Sequence, residues 1–185
     1  SAKYNAYKNS GGQLSLADFR RQNVSAFVSG MYNAVKSIDK TVRVGASPQS
    51  NIEKVYSQHY ADVYLWCSKS GYIDYIAPQV YFALNHQTAP FKTMVEKWEK
   101  ITTADSVKLL IGIAPYKCGK VDNNAGNAYK NEWVNNSNIL AEEYSFVKNS
   151  VRCSGALFFS YSYMVAPYRN GATAQTEIEN LKKVL

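Results

Sequence analysis

The sequence predicts an α/β fold in which four parallel strands alternate with amphipathic helices. Four short apolar runs, beginning at Val42, Ile73, Val107 and Gly155, each finish in polar or aromatic residues. Each is followed by a loop and a stretch of helical periodicity, which is the pattern of βα units in a parallel sheet. Four units are too few to close a barrel. At 185 residues the chain reads as a single domain over 1–185, large enough to bury a core.

The elements follow in order. Residues 1–14 are polar, with Gly11-Gly12 as a turn. Ser15 offers a helix cap, with Asp18 in the first turn. Leu16, Phe19, Val24, Phe27, Val28, Met31, Val35 and Ile38 then recur at mostly three- and four-residue steps. They predict an amphipathic helix of about six turns with one face committed to packing. No strand precedes it, although a helix in that position normally returns from one. With the opening Ser1-Ala2-Lys3-Tyr4, this reads as a processed or excised piece lacking an upstream half.

The first strand is predicted at 42–47, and Pro48 makes 47–51 a loop. A helix at roughly 57–70 carries Tyr60, Val63, Tyr64 and Cys67 up to Gly71, a stop residue. The second strand covers 73–81. Thr88 is positioned to cap a helix with Pro90 in its first turn and Phe91, Met94, Val95, Trp98 and Ile101 facing inward. The third strand, 107–114, ends against Pro115. Residues 117–138 are Asn-rich and long for a βα loop, the kind of insertion that is functional or mobile. Ser137 is the expected cap of a helix burying Ile139, Leu140, Tyr144 and Val147. The fourth strand is 155–162, and a last helix from about Thr173 buries Ile178, Leu181 and Leu185.

Composition excludes several classes. Hydrophobic residues make up 46% and charged ones 19%, ordinary globular usage. No run of ~18 apolar residues is present, so no membrane span is expected. Cys67, Cys118 and Cys153 have no metal-ligand spacing, and His59 and His86 are the only histidines, so no metal and no cofactor is expected. The net charge of +7 comes from scattered lysines and arginines, which favours a solvated basic surface over a nucleic-acid groove. The 15 tyrosines, 7 phenylalanines and 3 tryptophans point further, because aromatic faces stack on sugars as well as on each other.

In a parallel sheet the ligand site lies at the carboxyl ends of the strands. Ser47, Gln49, Gln79, Tyr81, Tyr116, Lys117, Ser160, Tyr161, Ser162 and Tyr163 fall at or near that rim. His86 lies in the loop after the second strand, on the same side. Amides, hydroxyls and rings together suit a carbohydrate, offering donors, acceptors and apolar faces. Gln79 is the sharpest member, since an amide within an apolar strand must find a partner or cost about 1–3 kcal/mol. It either contacts ligand or bonds a neighbouring loop backbone.

Glycoside hydrolysis usually needs two carboxyl groups flanking the bond. Asp74 sits at the start of its strand, on the opposite face. Asp18, Asp39, Glu96, Glu99, Glu142, Glu143, Glu177 and Glu179 fall on helices or their ends, where solvated charge is expected. Glu53 and Asp122 are the only acids in loops on the site side, and no motif backs either. The catalytic residues stay unassigned.

Several segments resemble the bacterial glycosyl hydrolase-like 10 family. They are Ser15-Leu16-Ala17-Asp18-Phe19-Arg20-Arg21-Gln22-Asn23-Val24, Val42-Arg43-Val44-Gly45-Ala46-Ser47-Pro48, Tyr60-Ala61-Asp62-Val63, Ile73 to Tyr81, and Gly155-Ala156-Leu157-Phe158-Phe159-Ser160-Tyr161. The resemblance implies a (β/α)8 TIM barrel of which this chain is the C-terminal half: the last four βα units, preceded by a helix. It further implies activity on glycosidic bonds, with bacterial envelope glycan (peptidoglycan strands) as a substrate class and the cell envelope or extracellular space as the location. An acidic Asp-Asp-Tyr-type motif of the family would lie before Ser1. Gln49-Ser50-Asn51-Ile52 departs from the family's Gly-Ile-Trp-like segment.

The expected partners are therefore a glycan substrate, an N-terminal half-barrel, and a second copy meeting it through exposed strand edges. A non-catalytic carbohydrate-binding domain is the main alternative, and a nucleic-acid or anionic-polymer binder the third.

Overall fold

The computed structural model describes residues 1–185. Its first two helices both start at serine caps. Helix α1 (Ala2–Asn9) begins at Ser1, so the polar N-terminus is helical before it turns at Gly11 and Gly12. Tyr4 and Tyr7 of α1 pack on Phe19 of α2 (Leu16–Ile38). Ser15 accepts the Asp18 amide at 3.1 Å and so caps α2.

Four strands form one parallel sheet in the order β1 (Gly45–Ala46), β2 (Tyr75–Ile76), β3 (Lys108–Ile113), β4 (Cys153–Phe158). The predicted strands 42–47 and 73–81 pair regularly over only two residues each. Beyond them lie single bridges, Gln49 to Gln79 and Gln79 to Gly112. Pro48 and Pro78 bring no amide to the ladder, which explains the interruption. At the other end the Asp74 carboxylate takes the Val44 amide at 2.7 Å. It also pairs with Lys36 at 2.7 Å and accepts from the Tyr32 hydroxyl at 3.2 Å, which ties α2 to the amino ends of the strands.

The connecting helices depart from expectation at their ends. The predicted helix 57–70 is two helices, α3 (Ile52–Gln58) and α4 (Val63–Ser68). Tyr60 at φ 55° breaks the run, and Asp62 restarts it by accepting the Leu65 amide at 3.0 Å. Glu53 therefore lies in the first turn of α3 rather than in a loop, and His59 closes that helix. Helix α5 (Phe91–Ile101) starts after Pro90 and not at Thr88, whose amide is held by His86 Nδ1 at 3.4 Å.

Helix α6 (Glu132–Asn135) interrupts the long loop and precedes α7 (Ile139–Asn149). Ser137 does not cap α7. Glu177 of the last helix does so from a distance, accepting the Ile139 and Leu140 amides at 2.9 Å each. Glu177 and Glu143, expected in solvent, are both 0% exposed. The fourth strand stops at Phe158, short of the predicted 162, and the chain turns into α8 (Tyr161–Val165). Helix α9 (Ala172–Lys182) buries Ile178 and Leu181, whereas Leu185 lies beyond its end and is exposed.

The core lies between the sheet and the helices that follow its strands. Leu109, Ile111 and Ile113 of β3 meet Phe91 and Trp98 of α5 and Ile139 and Leu140 of α7, all fully buried. The other face of the sheet carries no helix, and on it Leu157 is 46% and Phe159 56% exposed. Helix α2 docks through Val24 and Val28, while Phe27, Met31 and Ile38 of the same predicted stripe face away, against expectation. A wide apolar stripe holds two lines of side chains, and only one of them meets this chain. Four parallel strands alternating with helices on one face form an open α/β sheet consistent with half a barrel.

Candidate functional site

The carboxyl ends of β1, β2 and β3 open into a cleft of about 1220 Å³. Gln49, Gln79, Tyr81, His86, Tyr116 and Lys117 line it, so six of the rim positions predicted from sequence come together. Gln79 bonds a neighbouring loop backbone, one of the two expectations for it. Its Nε2 donates to the Ser47 carbonyl at 3.0 Å, and the same side chain lines the cleft. The Ser47 hydroxyl lies 3.5 Å from that nitrogen. Close approach of β2 and β3 depends on Gly112, where a Cβ would sit 2.9 Å from the Pro78 carbonyl oxygen and 3.2 Å from the Tyr81 ring.

Aromatic rings gather at the rim, where Tyr81 and Tyr116 line the cleft and Phe159 and Tyr163 pack against them outside its lining. Tyr81 stacks on Phe159 with centroids 6.0 Å apart and meets Tyr116 edge-on at 5.8 Å. Tyr116 also contacts Phe159 at 6.1 Å and Tyr163 at 6.2 Å. Lys120 lies 5.1 Å over the Tyr163 ring. Phe159 is the residue the sequence reading passed over. The signal was its alternation with Leu157, which puts both on the face away from the helices. Ser160 starts α8, with its hydroxyl 3.1 Å from that of Ser162. Tyr161 is exposed and joins none of these ring contacts.

His86 is buried, with Nδ1 accepting the Thr88 and Ala89 amides at 3.4 and 3.2 Å and its ring edge-on to Phe82 at 4.7 Å. Burial pushes its pKa down, which favours a neutral ring that braces the loop. The insertion 117–138 is knitted to that loop. Glu132 accepts the Asn85 amide at 3.1 Å and its side-chain nitrogen at 2.9 Å, while the Gln87 amide donates to the Ala125 carbonyl at 3.1 Å. Trp133 anchors the insertion from inside, fully buried.

Carboxylates are scarce here. Asp122 is buried and paired with Lys117 at 2.6 Å. Burial pushes its pKa up, but the Lys117 ammonium and the Asn124 amide outweigh that and hold it below the usual range. Asp122 is thus an ionised structural partner. Glu53 is the one acid lining the cleft, and it accepts the Tyr64 hydroxyl at 2.9 Å. No three His, Cys, Asp or Glu side chains converge as a metal site. The arrangement can bind and orient a polyhydroxylated ligand, but it holds no facing pair of carboxyl groups.

The profile of the family described as glycosyl hydrolase-like 10 matches residues 1–134. Glycosyl hydrolase DigH of Escherichia coli K12 is 26% identical over 185 residues, covering 91% of this chain and 41% of that protein. Glycosyl hydrolase YngK of Bacillus subtilis 168 is 31% identical over 115 residues, covering 54% of this chain and 22% of that protein. The chain thus spans less than half the length of these relatives.

Proposed function

The chain belongs to the glycosyl hydrolase-like 10 family, and from this we propose that it is part of a glycoside hydrolase acting on bacterial envelope glycan, such as peptidoglycan strands, or on another polysaccharide. Its strand tips bind the sugar chain. The observation that carries this reading is the ring cluster of Tyr81, Tyr116, Phe159 and Tyr163, of which Tyr81 and Tyr116 line, with Gln79, a cleft that holds a single carboxylate. Rings take the apolar faces of sugars, and the amide and hydroxyls take their polar edges. The family supports a TIM-barrel-like fold, in which eight strands close the ring. The catalytic acids then belong to strands other than these four, in an N-terminal half-barrel that packs on the bare sheet face. A second copy of the chain is the other candidate for that face. With such a substrate, the proposed location of the protein is the cell envelope or the extracellular space.

The shortage of carboxylates also favours a second reading, a carbohydrate-binding domain without catalysis. One experiment tests both. In the protein expressed from its full gene, Phe159→Ala combined with Gln79→Ala is expected to raise KM for peptide-stripped glycan strands about tenfold, with a smaller change in kcat. An unchanged KM would sink the proposal. Strands that bind and are never cut would leave the binding-domain reading.

A further inference from the structure

Loops from two different strands enclose a second hollow beside the cleft. The β2–α5 loop supplies Asn85, Gln87 and Pro90, the insertion 117–138 supplies Asn127 and Tyr129, and the space between them is about 700 Å³. His86 belongs to the lining of this hollow and of the cleft, so the two meet at one buried residue. No acidic or basic side chain lines the hollow. One carboxylate and four lysines line the cleft.

Bonds between the loops fix the shape of the hollow. Glu132 holds the backbone and side-chain nitrogens of Asn85, and the Gln87 amide donates to the Ala125 carbonyl. Gly126 turns at φ 86°, and a Cβ there would lie 2.0 Å from Gln87 Oε1 and 2.9 Å from Gln87 Cβ. The loops therefore touch where only glycine fits. The Tyr129 and Lys130 amides return to the Gly126 carbonyl at 3.1 and 2.9 Å, which closes the turn that carries Asn127 and Tyr129. Asn85 has its side-chain nitrogen engaged by Glu132, but the side-chain amides of Gln87 and Asn127 and the Tyr129 hydroxyl make no hydrogen bond within the chain. The Tyr129 ring is 40% exposed.

We propose that this hollow is a second glycan-binding site, taking sugar units of the chain that lie beyond those held in the strand-tip cleft. This rests on the glycan reading above and adds where the rest of the polymer is held. Free amides offer both donors and acceptors to sugar hydroxyls, and an exposed ring takes an apolar sugar face. A hollow already braced by its own loops loses little freedom when it is filled. Once the cleft holds one part of a chain, binding of another part in the hollow is intramolecular, so the second site acts on long chains and not on short ones.

The test uses the protein expressed from its full gene and measures Kd for a tetrasaccharide and for long peptide-stripped strands of the same glycan. Asn127→Ala combined with Tyr129→Ala is expected to weaken binding of the long strands about three- to tenfold and leave the tetrasaccharide Kd unchanged. Tyr129→Phe, which keeps the ring, should retain most of the affinity for long strands. Long strands offer more binding registers than short ones in any protein, so the variant is compared with wild type at each length. Both positions are exposed, and an unchanged thermal midpoint checks that the fold is intact.

An unchanged Kd for the long strands overturns the second site and leaves the glycan reading standing. An equal loss at both lengths also overturns it, because the hollow is then part of the cleft. Failure of the wild type to bind either length overturns the second site and the glycan reading together.

Discussion

Helices α5 and α2 are built on the same apolar pattern and end in opposite surroundings. On α5, Phe91, Met94, Val95 and Trp98 all lie within the core. On α2, Val24 and Val28 reach that core, but Phe27 is 71% and Ile38 88% exposed. The two faces of the sheet divide in the same way, with Ile111 and Ile113 buried under helices and Leu157 and Phe159 bare. Periodicity states which side of an element is made to be covered. It does not state whether the cover lies within the same stretch of chain. The exposed line of α2 and the bare sheet face mark where the covering layer stops.

The largest consequence belongs to the covered side. Trp98 is fully buried, and its indole nitrogen donates to the Ser50 carbonyl at 2.8 Å, which joins α5 to the start of α3. Trp98→Ala is expected to cost about 3–5 kcal/mol, the loss of a large core ring and the cavity it leaves. Urea unfolding measures it. A cost below about 1 kcal/mol would mean that α5 is no better packed than the outer line of α2, and the contrast between the two helices would fail.

Next in size is the buried acid pair. Glu177→Ala would leave the Ile139 and Leu140 amides without acceptors in a buried place, at a cost of about 2–3 kcal/mol. Glu177→Gln retains one acceptor oxygen and should cost less. The comparison of the two variants separates lost capping from lost packing.

Glu143, beside it, has neither carboxylate oxygen hydrogen-bonded. Burial, and then the nearby charge of Glu177, push its pKa well up; burial pushes that of Glu177 up to about 7. A carboxyl group whose pKa is raised on folding holds its proton longer in the native state. Its favourable contribution is complete below the ordinary carboxylate value near 4.5 and is lost as pH rises through the raised one. Stability should therefore decline from about pH 4.5 through 7 and beyond. Glu143→Gln should flatten that slope, as followed by thermal unfolding across pH. His86 acts in the opposite sense within this interval, because burial lowers its pKa and adds stability as pH rises towards its ordinary value near 6.5. The contribution of Glu143 is therefore read as the difference between wild type and Glu143→Gln, and two parallel curves would contradict it. Asp74 and Asp122 also act in the opposite sense, because their lowered values remove stability only as the pH falls into the acid range.

Much of this was legible in the sequence, for physical reasons. The four apolar runs announced four strands because strand interiors buried under helices need continuous apolar character. The rim was legible because strand ends share one side of a parallel sheet, and Gln79, Tyr81 and Tyr116 do meet there. What escaped depended on contacts remote in sequence. Glu177 and Glu143 look like ordinary helix-surface acids, and only the packing of α7 on α9 buries them. The break at Tyr60 depends on one backbone angle that no pattern of side chains prescribes. Phe159 carried a readable signal, its alternation with Leu157, but among so many aromatic residues it did not stand out.

The smallest predicted effect is the most discriminating for the contrast between α2 and α5. In the 185-residue polypeptide, Phe27→Ser and Ile38→Ser remove apolar surface that already faces solvent. Each should change stability by no more than about 0.5 kcal/mol. In the protein expressed from its full gene, the same substitutions report on whatever covers α2 there. Burying a phenylalanine or isoleucine side chain contributes about 1.5–3 kcal/mol, so a covered position would turn a negligible cost into a large one. If concentration alone converts the one behaviour into the other, the cover is a second copy of the chain. If the cost appears at every concentration of the full-gene product and never in the shorter polypeptide, the cover is part of the same protein. If it stays negligible in both, the outer line of α2 is simply a solvated apolar face, and the half-barrel must be completed from the sheet side alone.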